Sequence, residues 1–471
     1  MLFNSFDFTI FLPIVFTIYW LLGKNIKIQN LFLLAASYFF YAWWDWRFLS
    51  LILVCSIVNF SAGILLMKKE KEKIRKIILT VCCLVCFGIL GVFKYYDFFV
   101  TSFADAFSIF GIKIQAYTLN LILPVGISFY TFHTLSYTID VYRGKFSPTK
   151  DILSFFLFVS IFPLAMAGPI ERATNLLPQI YKKRTFDYNQ VTEGMKLILW
   201  GLFMKVVVAD RVCLYVDKVY GNATHESGFS LFVATFLFAV QIYCDFAGYS
   251  NMSIGIGKTL GFNFLKNFNK PYFSISITDF WRRWHISLSS WLKDYVYIPL
   301  GGSHCSKLRN YWNIFVTFLV SGIWHGANWT FVVWGVLHGA FQIIEKMFGL
   351  QKSNTKGFVK IFRILITFLI VNLLWIFFRM PSLPEALYVI GKIFTNFGAN
   401  LYLAENTTML CIVFGVSMLF GKEIFDEFFP NRMRLFDNPK IYVRWAAYIL
   451  IFVSIMLVGV FDGGQFIYFQ F

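Results

Sequence analysis

Apolar residues in this chain come in long runs, near 8–22, 30–44, 48–67, 77–99, 118–138, 194–217, 229–250, 311–329, 330–347, 361–378, 408–422 and 441–461, with short polar stretches between them. Most of these runs approach the roughly 20 residues that a helix needs to cross the hydrocarbon core of a bilayer. The pattern predicts an all-α, multi-pass integral membrane protein with about a dozen crossings. One further apolar segment, Ile152 to Ala167, carries Pro163 and ends in Gly168-Pro169, which predicts a broken or re-entrant helix near 152–170. The rhythm fails over 251–310, where Lys266, Lys270, Arg282, Arg283 and Lys293 are interleaved with Trp281, Trp284 and Trp291. Basic residues among Trp and Tyr suit a helix lying at headgroup level, and a docking or substrate-entry surface is the functional version of the same feature. No internal period is visible, so residues 1–471 read as a single transmembrane domain.

Composition sharpens this picture. The 471 residues are 58% hydrophobic and only 14% charged, whereas soluble domains carry about 25% charged residues. A net charge of +17 raises the question of nucleic acid. Lys and Arg gather instead in short loops between apolar runs, as the positive-inside bias requires, so the expected partner is the lipid bilayer and not nucleic acid. The most basic short loop, Lys68 to Lys76, belongs on the cytoplasmic side. Counting back places Met1 outside. Counting forward puts Arg143, Lys145 and Lys150 inside together with Lys182, Lys183 and Arg184, which holds only if 152–170 enters and returns. The loops at 352–360 and 432–444 then fall inside and the C-terminus outside. The first run lacks a basic leader and a small-residue cleavage site, so it reads as a retained span. The eight cysteines lie mostly in apolar segments and read as small buried hydrophobes, with neither a disulfide framework nor a metal site indicated.

Ionisable groups at membrane depth are expensive and are functional candidates for that reason. His325 stands in Ser321-Gly322-Ile323-Trp324-His325-Gly326-Ala327-Asn328-Trp329, where flanking glycines allow close approach of a substrate or another backbone. An imidazole can take a proton from a hydroxyl, as acyl transfer from a thioester requires. A structural histidine bonded to a neighbouring helix fits the spacing equally well. His338, thirteen residues on, would sit about 20 Å away along one continuous helix. The two could meet only if 326–328 turns the chain; otherwise His338 is a packing residue. For His285, a helical reading puts Trp281, Trp284, His285 and Leu288 on one face with Arg282 and Arg283 off it, and an amphipathic interfacial helix explains that spacing. Lys205 and Asp245 read as a salt bridge or snorkelling groups, and Gly248, Tyr249 and Ser250 beside Asp245 also allow a polar cavity wall. No P-loop, dinucleotide fingerprint, zinc spacing or nucleophile elbow is present.

At these residues the chain resembles the membrane-bound O-acyltransferase (MBOAT) family, in the bacterial branch of alginate O-acetylation and teichoic acid D-alanylation proteins. The resemblance runs through Leu123-Pro124-Val125-Gly126, Ala167-Gly168-Pro169-Ile170, Gln241 to Ser250, Phe280 to Ser289, Tyr297 to Gly302, Trp324-His325-Gly326 and the ending Phe466 to Phe471. It implies that His325 matches the principal catalytic histidine and His285 the second histidine of the branch. It implies a helical shell around a central tunnel, with Trp324, Asp245, Trp284, Arg282, Asn328 and His338 as candidates to line it. It further implies a bacterial plasma-membrane protein with no bound cofactor, taking acetyl-CoA or another acyl thioester as donor. The acyl group would pass to an extracytoplasmic SGNH-type acetyltransferase or acyl-acceptor protein, and so indirectly to a secreted or cell-surface polysaccharide. His133 and Leu164 depart from the branch's usual residues. D-alanyl transfer to teichoic acid is the alternative within the family. A polysaccharide transporter or flippase, or a scaffold, fits composition equally well, although the repeated halves common in transporters are not seen.

Overall fold

Polar side chains at the borders of the apolar runs set where helices start. Asn25 accepts from the Lys27 and Ile28 amides, Ser306 from Arg309, Asn328 from Thr330 and Ser382 from Glu385, which satisfies amides that would otherwise be orphaned at helix N-termini. The computed structural model describes all residues except 167, 352–354, 399, 430–435, 462–466 and 468–471. Phe466 and Tyr468 to Phe471 of the ending, Ala167, and the loop residues Lys352 and Arg432 therefore lie outside the described residues. The described chain is helical throughout its regular structure, as its apolar pattern predicts, and forms two compact units.

The first unit comprises residues 1–195 and 253–265. It contains α1 (Phe6–Leu21), α2 (Ile26–Asp45), α3 (Leu49–Lys68), α4 (Glu72–Leu90), α5 (Tyr96–Ser108), α6 (Ile127–Tyr142), α7 (Ile152–Ser160), α8 (Phe162–Ala165), α9 (Ala173–Tyr181) and the start of α10 (Tyr188–Leu202). Helix α3 packs on α4 and α6, and α2 on α7. The segment at 152–165 is broken, as Pro163 implies: α7 stops before Ile161, and α9 packs back against α7. Side chains take up the polar groups freed at the break. Ser37 Oγ accepts from the Phe162 amide at 3.0 Å, and Ser253 Oγ donates to the Pro163 carbonyl at 2.5 Å. That is how irregular backbone is tolerated away from water. The run at 118–138 is only partly helical, contrary to its apolar pattern. Pro124 disfavours helical backbone before it, and the Gly126 cap of α6 has φ +74°. The Asp97 carboxylate instead accepts from the amides of Leu119 and Asn120 at 2.7 and 3.0 Å.

The second unit comprises 196–252 and 266–471. It holds the rest of α10, α11 (Asp210–Gly221), most of α12 (Gly228–Thr259), α13 (Ile277–Arg283), α14 (Ile286–Leu292), α15 (Lys307–His325), α16 (Trp329–Met347), α17 (Gly357–Arg379), α18 (Leu383–Thr395), α19 (Asn406–Phe428) and α20 (Ile441–Val458). Six helical segments among the described residues are long and apolar enough to cross a membrane by length and composition. That is fewer than the sequence runs: Ile26–Lys68 joins two of them, α1 has only 16 residues, and the runs at 194–217, with a π-helical turn at Phe203–Ala209, 311–329 and 330–347 are not among the six. Outward-facing apolar side chains are abundant on these segments, as on α20, where Leu457 is 79% exposed. This is a multi-pass membrane protein, and such a surface suits lipid rather than water.

Helices α15 and α16 form a tight hairpin, because Gly326 is extended and Asn328 caps the next helix. Close approach depends on two glycines. A Cβ on Gly335 would lie 2.5 Å from the Phe318 carbonyl oxygen and 2.9 Å from the Gly322 Cα. The variant Gly335→Val is therefore expected to destabilise the protein by about 1–3 kcal/mol, the usual cost of overpacking. A lowered Tm of the purified protein in detergent checks it.

Candidate active site

The α15–α16 turn places His325 at the last position of α15, buried at 2% exposure. Trp324, Trp334 and Phe378 surround its ring, with centroid separations of 5.0, 4.9 and 5.4 Å. Because 326–328 does turn the chain, His338 on α16 joins the same cluster. Its ring lies 4.8 Å from that of Trp334, so one indole touches both histidines. The Trp281 indole N–H donates to His338 Nδ1 at 3.2 Å, which puts the proton of a neutral His338 on Nε2. His338 is thereby a hydrogen-bonded member of the aromatic packing.

His285 comes to this cluster by a route that the helical reading of 281–288 misses. The chain breaks there: α13 ends at Arg283, and His285 adopts φ +42°, ψ +55° before α14 begins. A non-glycine residue in the left-handed region costs of order 1 kcal/mol and persists only where its surroundings fix it. The ring is fully buried, packed 4.6 Å from Phe246 and 6.0 Å from Trp324, the indole that also contacts His325. Burial pushes the His285 pKa down to about 3, so the imidazole is neutral at physiological pH.

The aromatic residues of the 251–310 stretch turn inward. Trp281, Trp284, His285 and Leu288 are all buried. Trp284 stacks on Phe280 at 5.5 Å and meets Trp375 at 5.0 Å, inside the protein core. Arg283 is drawn inward, pairing with Asp279 and Glu427 at 3.2 Å each, and Lys270 meets Glu427 at 3.1 Å. Arg282 alone of the arginine pair stays exposed.

Arg282 lines a cavity of about 460 Å³ with Trp281, Lys293, Ser321, Gln342 and Lys346. The cavity reaches α15 at Ser321, one helical turn before His325. The Ser321 hydroxyl is buried, with no hydrogen-bond partner among the described residues. Three cationic side chains and a buried, unsatisfied hydroxyl in the lining suit an anionic, hydrogen-bonding ligand. Gln342 and Lys346 carry a readable signal in the sequence, their i, i+4 spacing on a largely apolar helix.

Other candidates lie apart from the ring cluster. The Asn328 side chain caps α16 and donates to the Pro381 carbonyl at 2.7 Å. Asp245 belongs to a buried ion network: Lys205 Nζ is 2.7 Å from Asp210 and 2.7 Å from Asp245, and the Ile467 amide donates to Asp245 at 2.7 Å. This is the salt bridge that the sequence suggested, built on the π-helical turn. Of the other histidines, His133 is buried against Phe158 in the first unit.

Comparison with known proteins shows the family of the chain. The MBOAT, membrane-bound O-acyltransferase family, matches residues 145–383. A probable alginate O-acetylase AlgI of Pseudomonas syringae pv. tomato is 40% identical over 449 residues, covering 93% of this chain and 83% of that protein. A peptidoglycan O-acetyltransferase of Helicobacter pylori is 37% identical over 413 residues, covering 81% and 77%. A teichoic acid D-alanyltransferase of Bacillus subtilis is 27% identical over 255 residues, covering 50% and 62%.

Proposed function

This chain belongs to the membrane-bound O-acyltransferase family and is an O-acyltransferase, and from that premise we propose that it moves an acetyl group from a cytoplasmic thioester toward a secreted or cell-surface polysaccharide. The observation that carries the reading is the position of His325, at the buried turn of α15 and α16, one helical turn from Ser321, which lines a cavity together with three cationic side chains. Similarity to two O-acetyltransferases of polysaccharides supports acetyl over D-alanyl, since the D-alanyl relative is less similar and matches half of the chain.

In this mechanism His325 accepts the proton of the acceptor hydroxyl as its oxygen attacks the thioester carbonyl. The C–O bond forms, the C–S bond breaks, and the proton passes to the departing thiolate. A thioester is already activated, so positioning and one base are sufficient. His325 is 2% exposed, so a substrate must displace the aromatic side chains around it to reach the ring. His285 assists from the far side of Trp324. The donor is acetyl-CoA, whose phosphates suit Arg282, Lys293 and Lys346. The acceptor is an extracytoplasmic SGNH-type transferase or another acyl-acceptor protein, which then modifies the polymer. Both termini face outward in this scheme.

Deleting the gene and measuring ester-linked acetyl on surface polymer tests the reading. Loss of acetyl with normal polymer yield is expected, and unchanged acetylation contradicts it. The exposed cation gives a separate expectation. Arg282→Ala should raise KM for an anionic thioester roughly two- to fivefold, with kcat little changed. The difference should shrink as salt is added, which steady-state kinetics at two ionic strengths would show.

A further inference from the structure

His285 is the less exposed of the two family-matched histidines, and the group that orients it lies 18 residues away, in the connection after α12. Asn267 is buried, and its side chain and main-chain carbonyl together serve three successive residues, 285 to 287. Its Oδ1 accepts from the Ser287 amide at 3.3 Å and from the Ser287 hydroxyl at 2.9 Å, and lies 3.1 Å from His285 Nδ1. Its Nδ2 donates to Ser250 Oγ at 3.1 Å, and its main-chain carbonyl accepts from the Ile286 amide at 2.9 Å. These bonds settle which end of the amide is oxygen. A flipped Asn267 would set its NH2 group against the Ser287 amide, donor against donor, and lose both bonds. With oxygen at that position, His285 Nδ1 must be the donor. A neutral imidazole has one N–H, so Nε2 carries the lone pair.

We propose that Asn267 is the positioning residue of this site, fixing His285 as its Nδ1–H tautomer and leaving Nε2 as a proton acceptor on the side of the aromatic cluster. The bond from Ile286 to the Asn267 carbonyl, with those to Ser287, also holds the left-handed backbone at His285. Asn267 therefore fixes the tautomer and the direction of the ring together. The consequence for chemistry is one-sided: Nε2 of His285 can take a proton from a hydroxyl or thiol, and cannot donate one in the resting state.

The inference rests on the acyl-transfer reading for its kinetic arm and stands apart from it for its spectroscopic arm. Histidine-selective 15N labelling of the full chain in lipid, with solid-state NMR, reads the tautomer directly. Among the six histidines, the His285 signals are those absent from His285→Gln. The expected spectrum shows His285 protonated at Nδ1, with that preference lost in Asn267→Ala. Protonation at Nε2 in the unmodified protein overturns the proposal, whether or not the protein transfers acyl groups. Kinetically, Asn267→Ala should lower kcat about 10- to 100-fold, as when an imidazole loses its orienting partner at a metal site, with KM for the thioester unchanged. In a His285→Ala background the same substitution should change kcat less than about twofold, because Asn267 acts through that ring. Equal losses in both backgrounds would mean a purely structural role. If Asn267→Ala fails to accumulate, Asn267→Asp keeps an acceptor against Nδ1 and should keep the Nδ1–H signal; its absence there also counts against the proposal.

Discussion

Replacing His325 with Ala is expected to lower acyl transfer about 100- to 10,000-fold, the contribution of a positioned general base. The size of the effect follows from the surroundings of the ring. Trp324, Trp334 and Phe378 exclude water from it, so no solvent base stands ready to replace the imidazole. The same packing means that Ala leaves a hole, which makes His325→Gln a necessary companion: it fills most of the space and lacks a basic nitrogen. Both variants should reach the membrane in normal amounts, and polymer export should continue while ester-linked acetyl disappears. Export lost together with acetylation would favour a transporter, and acetylation retained in both would remove His325 from the reaction.

The second large effect concerns stability. Lys205 sits between Asp210 and Asp245, and all three side chains are at most 5% exposed. Lys205→Met strands two carboxylates in a medium that cannot solvate them, and removing one partner of a buried ion network costs about 3–5 kcal/mol. The purified variant should lose its compact, monodisperse form in detergent at a markedly lower temperature than the parent. The triple variant Lys205→Met, Asp210→Asn, Asp245→Asn should recover much of that loss, because replacing a whole buried ion network by uncharged groups is often close to neutral. A single Lys205→Met as stable as the parent would show that the network is not holding the π-helical turn and the Ile467 contact in place.

What the sequence made legible follows the range of the interactions involved. The break near Ile161 was readable because Pro163, Gly168 and Pro169 are local signals. His325 stood out because Gly322 and Gly326 beside an imidazole in an apolar run are themselves local. The late start of α6 carried its signals too, in Pro124 and Gly126, but an unbroken apolar run masked them. The break at His285 had no local sign. Trp284-His285-Ile286 contains neither Gly nor Pro, and the conformation is held by Asn267, which is near only after folding. Likewise Arg283 reads as a headgroup ligand until Glu427, 144 residues on, is seen beside it. Periodicity placed Trp281, Trp284 and His285 on a common helical face; no continuous helix spans them, and what the three share is burial.

The most direct test of the central claim is a vesicle experiment. The purified chain, reconstituted in one orientation with its acceptor on the extracytoplasmic face, is supplied with acetyl-labelled thioester on the cytoplasmic face alone. The account predicts that label reaches the acceptor, and that His325→Ala blocks this without loss of reconstituted protein. Label delivered as well by the His325→Ala variant as by the parent would contradict it.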